Sequence, residues 1–315
     1  MATDKRLLAS LEHNMGPVIM TALRDPDVVE IMLNPDGRVW IEKLGQDMQP
    51  AGVMDQSQSR LIISLVASGL ETVVTTENPI VEGELPLDGS RFEGLMPPVV
   101  SSPSFTIRKK ASRVFSLADY VNAGILPQEC VPVLQAAIMK HKNILVVGGT
   151  GSGKTTLVNA LILQLSELCP EDRLLILEDT MELQSKSQNT VFFRTSDFVN
   201  MQRLVKVTMR YRPTRIIVGE VRDGAALDLL KAWNTGHPGG IATVHANSAA
   251  EGLDRLEELV AEATSAAKQK LIGKAVGLSI FIERAPGGRR ISEILEIKGY
   301  EPNNNQYKKE VIYHA

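Results

Sequence analysis

A glycine-rich segment carries the strongest chemical signal in the sequence. Residues 148–155 read Gly-Gly-Thr-Gly-Ser-Gly-Lys-Thr and match the phosphate-binding pattern G-x-x-x-x-G-K-[ST] at every fixed position. The glycines let backbone N–H groups curl around phosphate oxygens without obstruction by a Cβ atom. Lys154 would reach the β- and γ-phosphates of ATP, and Thr155 would ligate Mg²⁺. The predicted nucleotide-binding residues are Gly148, Gly149, Thr150, Gly151, Ser152, Gly153, Lys154, Thr155 and Thr156.

An apolar segment further along the chain ends in a carboxylate. Residues 215–220 read Arg-Ile-Ile-Val-Gly-Glu, which is the Walker B pattern with Gly219 in the place where an aspartate is usual. A carboxylate beside a triphosphate can activate the attacking water, or act on Mg²⁺ directly or through water. Because the aspartate is missing, we predict that Glu220 is catalytic and activates water. Four arginines crowd this segment and are expected to form salt bridges with Glu220, Asp223 and their neighbours: Arg210, Arg212, Arg215 and Arg222.

A second apolar segment, residues 174–179, also ends in acids, Glu178 and Asp179. Ligands of open α/β sheets bind at the carboxyl ends of the strands. We therefore expect Glu178 and Asp179 to lie near Mg²⁺ or its waters, where either could replace the missing aspartate. Glu178 is predicted to be a further catalytic residue. The alternative is that Asp179 and Thr180 only cap the next turn.

A histidine follows a third apolar segment. Residues 241–244 are followed by His245, which from the end of a core strand could sense the γ-phosphate through a hydrogen bond. A lone histidine is more often structural, and His237, in a turn of glycine and proline, is the weaker candidate. His245 is therefore the histidine that we predict to be catalytic.

The elements that must position these residues alternate from residue 127 onward. Continuous apolar strands between helices indicate a mostly parallel sheet covered on both faces. The predicted helices are 128–141, 154–168, 198–210, 223–234 and 249–262. The predicted strands are 143–147, 173–178, 190–194, 215–219 and 240–244, followed by a hairpin of about 279–284 and 290–297 through Pro286-Gly287-Gly288.

The first part of the chain has a different pattern. Its first thirty residues indicate helices, interrupted at Met15-Gly16-Pro17. A helix at 56–69 and strands at 29–33, 38–42, 80–85, 91–95 and 104–109 complete a small α+β domain. We thus predict an N-terminal α+β domain at 1–109, a basic linker at 110–118 and an α/β P-loop domain at 119–315.

Composition limits the class of protein. The 315 residues include 34 Lys and Arg against 37 Asp and Glu, a net charge of −3, which disfavours sequence-independent binding of nucleic acid. Cys130 and Cys169 have no metal-like spacing, so we expect neither a zinc site nor a disulfide framework. No apolar run approaches the roughly 18–20 residues that span a bilayer. A cytoplasmic location is expected, with peripheral attachment to a membrane machine left open.

Four motifs occur in one order, at 148–155, 174–183, 210–223 and 236–247. In this order the chain resembles the secretion ATPase superfamily of type II and type IV secretion systems and type IV pilus motors, whose members carry Walker A, Asp-box, Walker B and His-box motifs. It is most similar to the TrbB-type conjugal transfer ATPases. The resemblance covers most of residues 80–300.

This resemblance implies a RecA-like P-loop ATPase fold and a homohexamer that hydrolyses ATP to power conjugative DNA transfer or pilus assembly. The implied partners are inner-membrane components of the secretion system, at the cytoplasmic side of that membrane, and no direct sequence-specific binding of nucleic acid is expected. The matching stretches 88–92 and 104–109 imply that Arg91 binds the nucleotide and that Arg108 is a catalytic arginine finger, on its own subunit's nucleotide or a neighbour's.

Three alternatives were weighed against this interpretation. A RecA-like nucleic-acid motor is disfavoured by the net charge, by the lack of an aromatic stacking stripe and by the motif order. A small-molecule kinase is disfavoured because no lid segment follows the glycine-rich loop. A nucleotide-gated scaffold that binds ATP but barely hydrolyses it is disfavoured by Glu220 and Glu178.

Overall fold

The computed structural model describes residues 5–110, 113–196 and 198–315. The chain divides into two compact units, Met1–Arg113 and Val114–Ala315. The division falls within the predicted linker, of which residues 111 and 112 lie outside the described residues. Residues 1–4 of the predicted N-terminal domain lie outside them as well.

The first unit is built on an antiparallel sheet with two helices. Its elements are α1 Lys5–Arg24, β1 Val28–Leu33, β2 Arg38–Lys43, β3 Gln49–Val53, α2 Gln56–Gly69, β4 Ile80–Glu84, β5 Arg91–Leu95 and β6 Ser104–Arg108. The strand order is β3-β2-β1-β6-β5-β4. Helix α1 is interrupted at Gly16, whose φ of 70° and ψ of 172° are non-helical, as the Met15-Gly16-Pro17 segment predicts.

The second unit alternates helices and strands. Its elements are α3 Leu117–Asn122, α4 Val131–Met139, β7 Ile144–Val147, α5 Lys154–Leu168, β8 Leu174–Glu178, β9 Thr190–Arg194, α6 Met201–Thr208, β10 Arg215–Val218, α7 Ala225–Asn234, β11 Ile241–Val244, α8 Glu251–Ala261, α9 Gln269–Ala275, β12 Leu278–Ala285, β13 Gly288–Glu301 and β14 Gln306–His314. The strand order is β14-β13-β12-β7-β11-β10-β8-β9. Neighbouring strands from β12 to β9 are parallel, and β13 and β14 extend the sheet antiparallel.

The core of the second unit lies on both faces of this sheet. Every residue of β7, β8, β10 and β11 is buried, because helices cover both faces. Alternate residues of a strand point to opposite faces. Leu145 and Val147 pack with α6 to α9, whereas Ile144 and Val146 pack with α3 to α5. The predicted fold class, a RecA-like α/β domain preceded by a small α+β domain, is confirmed.

Several elements differ from the sequence predictions. Helix α3 begins at Leu117, inside the predicted linker, because Ser116 and Asp119 form a capping box. Helix α6 is shorter than predicted, because the Asn200 side chain caps it by accepting from the Arg203 N–H. Strands β3 and β14 and helix α9 were not predicted from the sequence. None of the described helices is both long and apolar enough to cross a membrane.

Candidate nucleotide-binding site

The loop from Gly148 to Gly153 joins β7 to α5 at the carboxyl end of the parallel sheet. Gly151 and Gly153 have φ values of 67° and 97°, in the left-handed region that favours glycine. A Cβ on Gly148 would lie 2.3 Å from the carbonyl oxygen of Ile282 on β12. The loop therefore needs glycine at these positions, both for its curvature and for its close approach to the neighbouring strand.

The residues of this loop fit the phosphates of a nucleotide. The Ser152 side chain is buried, and among the described residues its hydroxyl has no hydrogen-bond partner. Lys154, Thr155 and Thr156 form the first turn of α5, whose backbone N–H groups lack partners within the helix and attract anions. These unsatisfied donors are of the kind that phosphate oxygens can accept from. A role of the Thr155 hydroxyl toward Mg²⁺ stays a prediction.

Lys154 connects the loop to a histidine and a glutamate. Its Nζ donates to the carbonyl oxygens of Gly148 at 2.8 Å and Gly149 at 2.9 Å, and lies 3.2 Å from Nδ1 of His245. The other ring nitrogen, Nε2, lies 2.7 Å from Oε1 of Glu220. His245 follows β11 directly, and Glu220 lies two residues beyond β10. The fold thus brings three separate motifs into one chain of contacts.

The protonation state of His245 follows from its surroundings. Burial lowers its pKa, the positive charge of Lys154 lowers it further, and Glu220 opposes both only in part. The ring is therefore neutral at pH 7. Since the Lys154 ammonium is a donor, Nδ1 accepts from it, and Nε2–H donates to Glu220.

The second oxygen of Glu220 accepts from Arg222. The Arg222 guanidinium also lies 3.9 Å from Oδ2 of Asp179, whose Oδ1 accepts from the Thr195 hydroxyl at 2.9 Å. Asp179, Thr195, Glu220 and Arg222 all line one cleft of about 260 Å³. The expected salt bridge between Arg222 and Glu220 is confirmed.

The same expectation is wrong for Arg215. Its guanidinium is buried at the start of β10 and pairs with Asp172. Strands β7 and β10 belong to one set of parallel strands. Arg215 therefore lies at the amino ends of these strands, whereas the glycine-rich loop lies at their carboxyl ends.

Glu178 is buried at the last position of β8, and its carboxylate is bound by backbone groups. Its Oε1 accepts from the N–H groups of Glu182 at 3.0 Å and Leu183 at 2.9 Å, which shapes the following loop. A Cβ on Gly219 would lie 3.0 Å from Cγ of Glu178. The buried glutamate therefore occupies the space beside Gly219, which accounts for glycine where the Walker B pattern has aspartate. A role of Glu178 or Asp179 toward Mg²⁺ stays a prediction.

Arg91 and Arg108 lie in the first unit, on adjacent strands. Arg91 opens β5, Arg108 closes β6, and the two residues are directly opposite in the antiparallel register. Arg108 is also opposite Glu30 on β1, and its charge opposes the rise that burial causes in the pKa of Glu30. Their roles toward a nucleotide stay predictions.

Two arginines beside the loop were missed by the sequence analysis. Nε of Arg284 donates to the carbonyl oxygen of Gly151 at 3.2 Å, and Nη2 of Arg289 donates to the same oxygen at 3.4 Å. Both belong to the hairpin of β12 and β13. The available signal is the cluster of arginines on either side of the turn at Gly287-Gly288.

The sheet order, the glycine-rich loop between β7 and α5, and the acids that follow β8 and β10 define a P-loop nucleotide-binding domain of the RecA-like class. A family model described as "Type II/IV secretion system protein" matches residues 12–279, and the chain belongs to this family. The resemblance stated from the motifs is confirmed.

Relatives cover nearly the whole chain. A probable conjugal transfer protein TrbB of Sinorhizobium fredii (strain NBRC 101917 / NGR234) is 52% identical over 310 residues, which are 98% of this chain and 95% of the relative. The type IV secretion system protein VirB11 of Bartonella henselae is 30% identical over 88% of this chain and 90% of its own length. The DotB ATPase of Legionella pneumophila has a similar fold, with a TM-score of 0.62 at 17% identity over 90% of this chain and 80% of that chain.

Proposed function

We propose that this protein hydrolyses Mg²⁺-bound ATP to ADP and phosphate at the site around Lys154. The observation that carries the proposal is the chain of contacts from Lys154 through His245 to Glu220. It joins a phosphate-binding lysine to a carboxylate that can take a proton, at the sheet edge where nucleotides bind. Two solved structures that share this fold are described as DotB ATPases, which is consistent with the proposal.

The chain's own residues have distinct roles in this reaction. The loop and Lys154 hold the β- and γ-phosphates, and Thr155 holds Mg²⁺, which neutralises phosphate charge when bound. Glu220 orients the attacking water and accepts its proton. His245 links the two, because a shift of Lys154 toward phosphate changes the hydrogen bonds that the ring makes to Glu220. The ring would in this way report the presence of the γ-phosphate to the catalytic carboxylate.

We further propose that this ATPase works as a homohexamer in a conjugal transfer or type IV secretion apparatus. The relatives that are 52% identical are named conjugal transfer proteins, and they match the chain almost end to end. Inner-membrane components of that apparatus are the proposed partners, at the cytoplasmic side of the membrane. Arg91 binds the nucleotide and Arg108 neutralises the γ-phosphate in this proposal.

One observation favours a second candidate, a scaffold that binds ATP but hydrolyses it slowly without partners. Both carboxylate oxygens of Glu220 accept hydrogen bonds, one from His245 and one from Arg222. With one acceptor position on each oxygen already occupied, fewer directions remain from which this carboxylate can contact the attacking water. Turnover by the isolated protein would then be low although ATP binds.

The experiment measures phosphate release from ATP by the purified full chain, with Mg²⁺ and with EDTA. Lys154→Ala should abolish both ATP binding and turnover, because its point charge on the phosphates is lost. Lys140→Ala, which removes an exposed lysine at the end of α4, is the matched control and should behave as wild type. ATP binding without Mg²⁺-dependent phosphate release would support the scaffold instead, and unchanged ATP affinity in Lys154→Ala would reject the site.

A further inference from the structure

The hairpin of β12 and β13 lies directly beside the phosphate-binding loop. Strand β12 is the parallel neighbour of β7, with Phe281 opposite Val147, so residues 282–285 continue alongside the loop that follows β7. Arg284 and Arg289 are opposite each other in this hairpin. Both guanidinium groups donate to the Gly151 carbonyl. A Cβ on Gly153 would lie 2.9 Å from Cδ of Arg289, which shows how closely this side chain packs on the loop.

Among the residues that the structure describes, none neutralises the charge of Arg289. In the part of the chain that the structure describes, no carboxylate lies within ion-pair distance of Arg289, and its buried Nε has no hydrogen-bond acceptor. A shared, neutral carbonyl oxygen at 3.4 Å is a weak partner for a cation. Buried donors are normally satisfied, so a guanidinium with an unsatisfied Nε beside a phosphate loop indicates an anionic ligand. The next residue, Arg290, differs, because it pairs with Glu283 at 2.9 Å.

The position of the hairpin identifies the part of the ligand that it contacts. Strand β7 has two neighbours, β11 on one side and β12 on the other. If the proposed function holds, His245 after β11 and Glu220 after β10 mark the side of the γ-phosphate. A nucleotide that crosses the loop then has its nucleoside end on the opposite side, which is the side of β12.

From these observations we infer that Arg289, assisted by Arg284, binds the α-phosphate of the nucleotide. The inference rests on the proposed function and adds to it a binding residue on the nucleoside side of the site. Guanidinium groups suit this task because they present several donors in a plane to phosphate oxygens. The ligands that this arrangement favours are nucleoside diphosphates and triphosphates alike, because both carry the α-phosphate.

The hairpin holds Arg289 in a fixed position. The N–H of Ile291 donates to the carbonyl oxygen of Ile125 at 2.9 Å, and the side chains of Ile282 and Ile291 are fully buried. The arginine is thus presented by an anchored strand, so little conformational entropy is lost when it binds phosphate. We therefore expect Arg289 to contribute to nucleotide affinity and not to the rate of a conformational change.

The test compares Arg289→Ala with Arg290→Ala in the full chain. Calorimetry with ADP and with ATP should show affinities about tenfold to a hundredfold lower for Arg289→Ala, by the same factor for both, as loss of a charged hydrogen bond predicts. KM for ATP should rise by that factor while kcat at saturating ATP changes little. Arg290→Ala should match wild type, and Arg289→Lys should lose less affinity than the alanine variant, because the charge remains.

Thermal unfolding separates nucleotide binding from support of the loop. If Arg289 binds the nucleotide, Tm without nucleotide is unchanged in Arg289→Ala, and only the stabilisation by ADP decreases. A lower Tm without nucleotide, or an ADP affinity equal to that of Arg290→Ala, would overturn the inference. Failure of the proposed function gives a different result. In that case wild type and Lys154→Ala would bind ADP with equal affinity.

Discussion

His245 contacts both Lys154, the proposed phosphate-binding lysine, and Glu220, the candidate catalytic glutamate. Burial and the Lys154 charge lower its pKa, so it stays neutral to a pH below the ordinary histidine value of about 6.5. Once protonated, Nδ1 could no longer accept from Lys154, and the two cations would repel. We therefore expect kcat/KM for ATP to stay level as the pH falls from about 8 to about 6.5, and to decrease only below that value.

The variant His245→Gln tests whether His245 causes the decrease in kcat/KM at low pH, which we call the acid limb. Glutamine can accept from Lys154 and donate to Glu220, but it does not titrate, so the acid limb should move to lower pH. Because the folded state holds His245 neutral more strongly than the unfolded chain does, stability also decreases as the pH falls below about 6.5. Tm is therefore measured at each pH as a control. An identical acid limb in both proteins would assign the titration to another group.

The site residues that could be predicted are those whose proposed function depends on spacing within a short stretch of sequence. The glycines, Lys154 and Thr155 are adjacent in sequence, and Glu220 and His245 each closely follow an apolar strand. Arg289 could not be found in this way, because it contacts a loop residue 138 positions earlier. The hydrogen bonds that backbone N–H groups donate to Glu178 could not be predicted either. A carboxylate at the end of a strand is compatible with ligand binding and with capping of a turn.

The parallel strands were predictable because helices bury both of their faces. Strands β7, β8, β10 and β11 are continuous apolar runs, and their positions agree with the prediction to within about one residue. Strand β14 is a largely exposed edge strand whose polar side chains give no such pattern. Helix α9 has seven residues, too few for a clear period of 3.6.

A buried ion pair secures the start of β10, at the edge of the sheet opposite the nucleotide site. The Arg215 guanidinium is 1% exposed, donates to Asp172, and also donates to the carbonyl oxygens of Ile138 at 2.9 Å and Gly239 at 3.2 Å. Asp172→Ala leaves this cation buried without its carboxylate. The free energy of unfolding should decrease by about 3–5 kcal/mol.

Urea unfolding measures this decrease, with Glu258→Gln as the control. Glu258 pairs with Arg255 on the exposed face of α8, and such pairs contribute only about 0–1 kcal/mol. Equal stability of the two variants would show that Arg215 is not held in the way described.

The first unit is proposed to contribute an arginine, Arg108, to catalysis. Arg108→Ala should lower kcat more than it weakens ATP binding, because the guanidinium matters mainly while charge redistributes on the γ-phosphate. Arg38→Ala, on the exposed face of β2, is the control. Measured kcat and ATP dissociation constants should separate the two variants, and an unchanged kcat in Arg108→Ala would remove this role.

The proposed ring makes activity depend on assembly. Hydrolysis per subunit should increase with protein concentration as hexamers form, and ATP with Mg²⁺ should favour the ring by mass action. Light scattering gives the mass at each concentration at which the rate is measured. A monomer with full activity at every concentration would refute the hexamer as the active form.

Glu220→Gln tests whether Glu220 activates the water that attacks ATP. Glutamine keeps the shape and can still hydrogen-bond, but it cannot take a proton. With Mg²⁺ present, ATP should bind with near wild-type affinity, while phosphate release should be at least about a hundredfold slower. Near-normal phosphate release would contradict the account and move the water-activating role to another carboxylate, with Glu178 the first candidate.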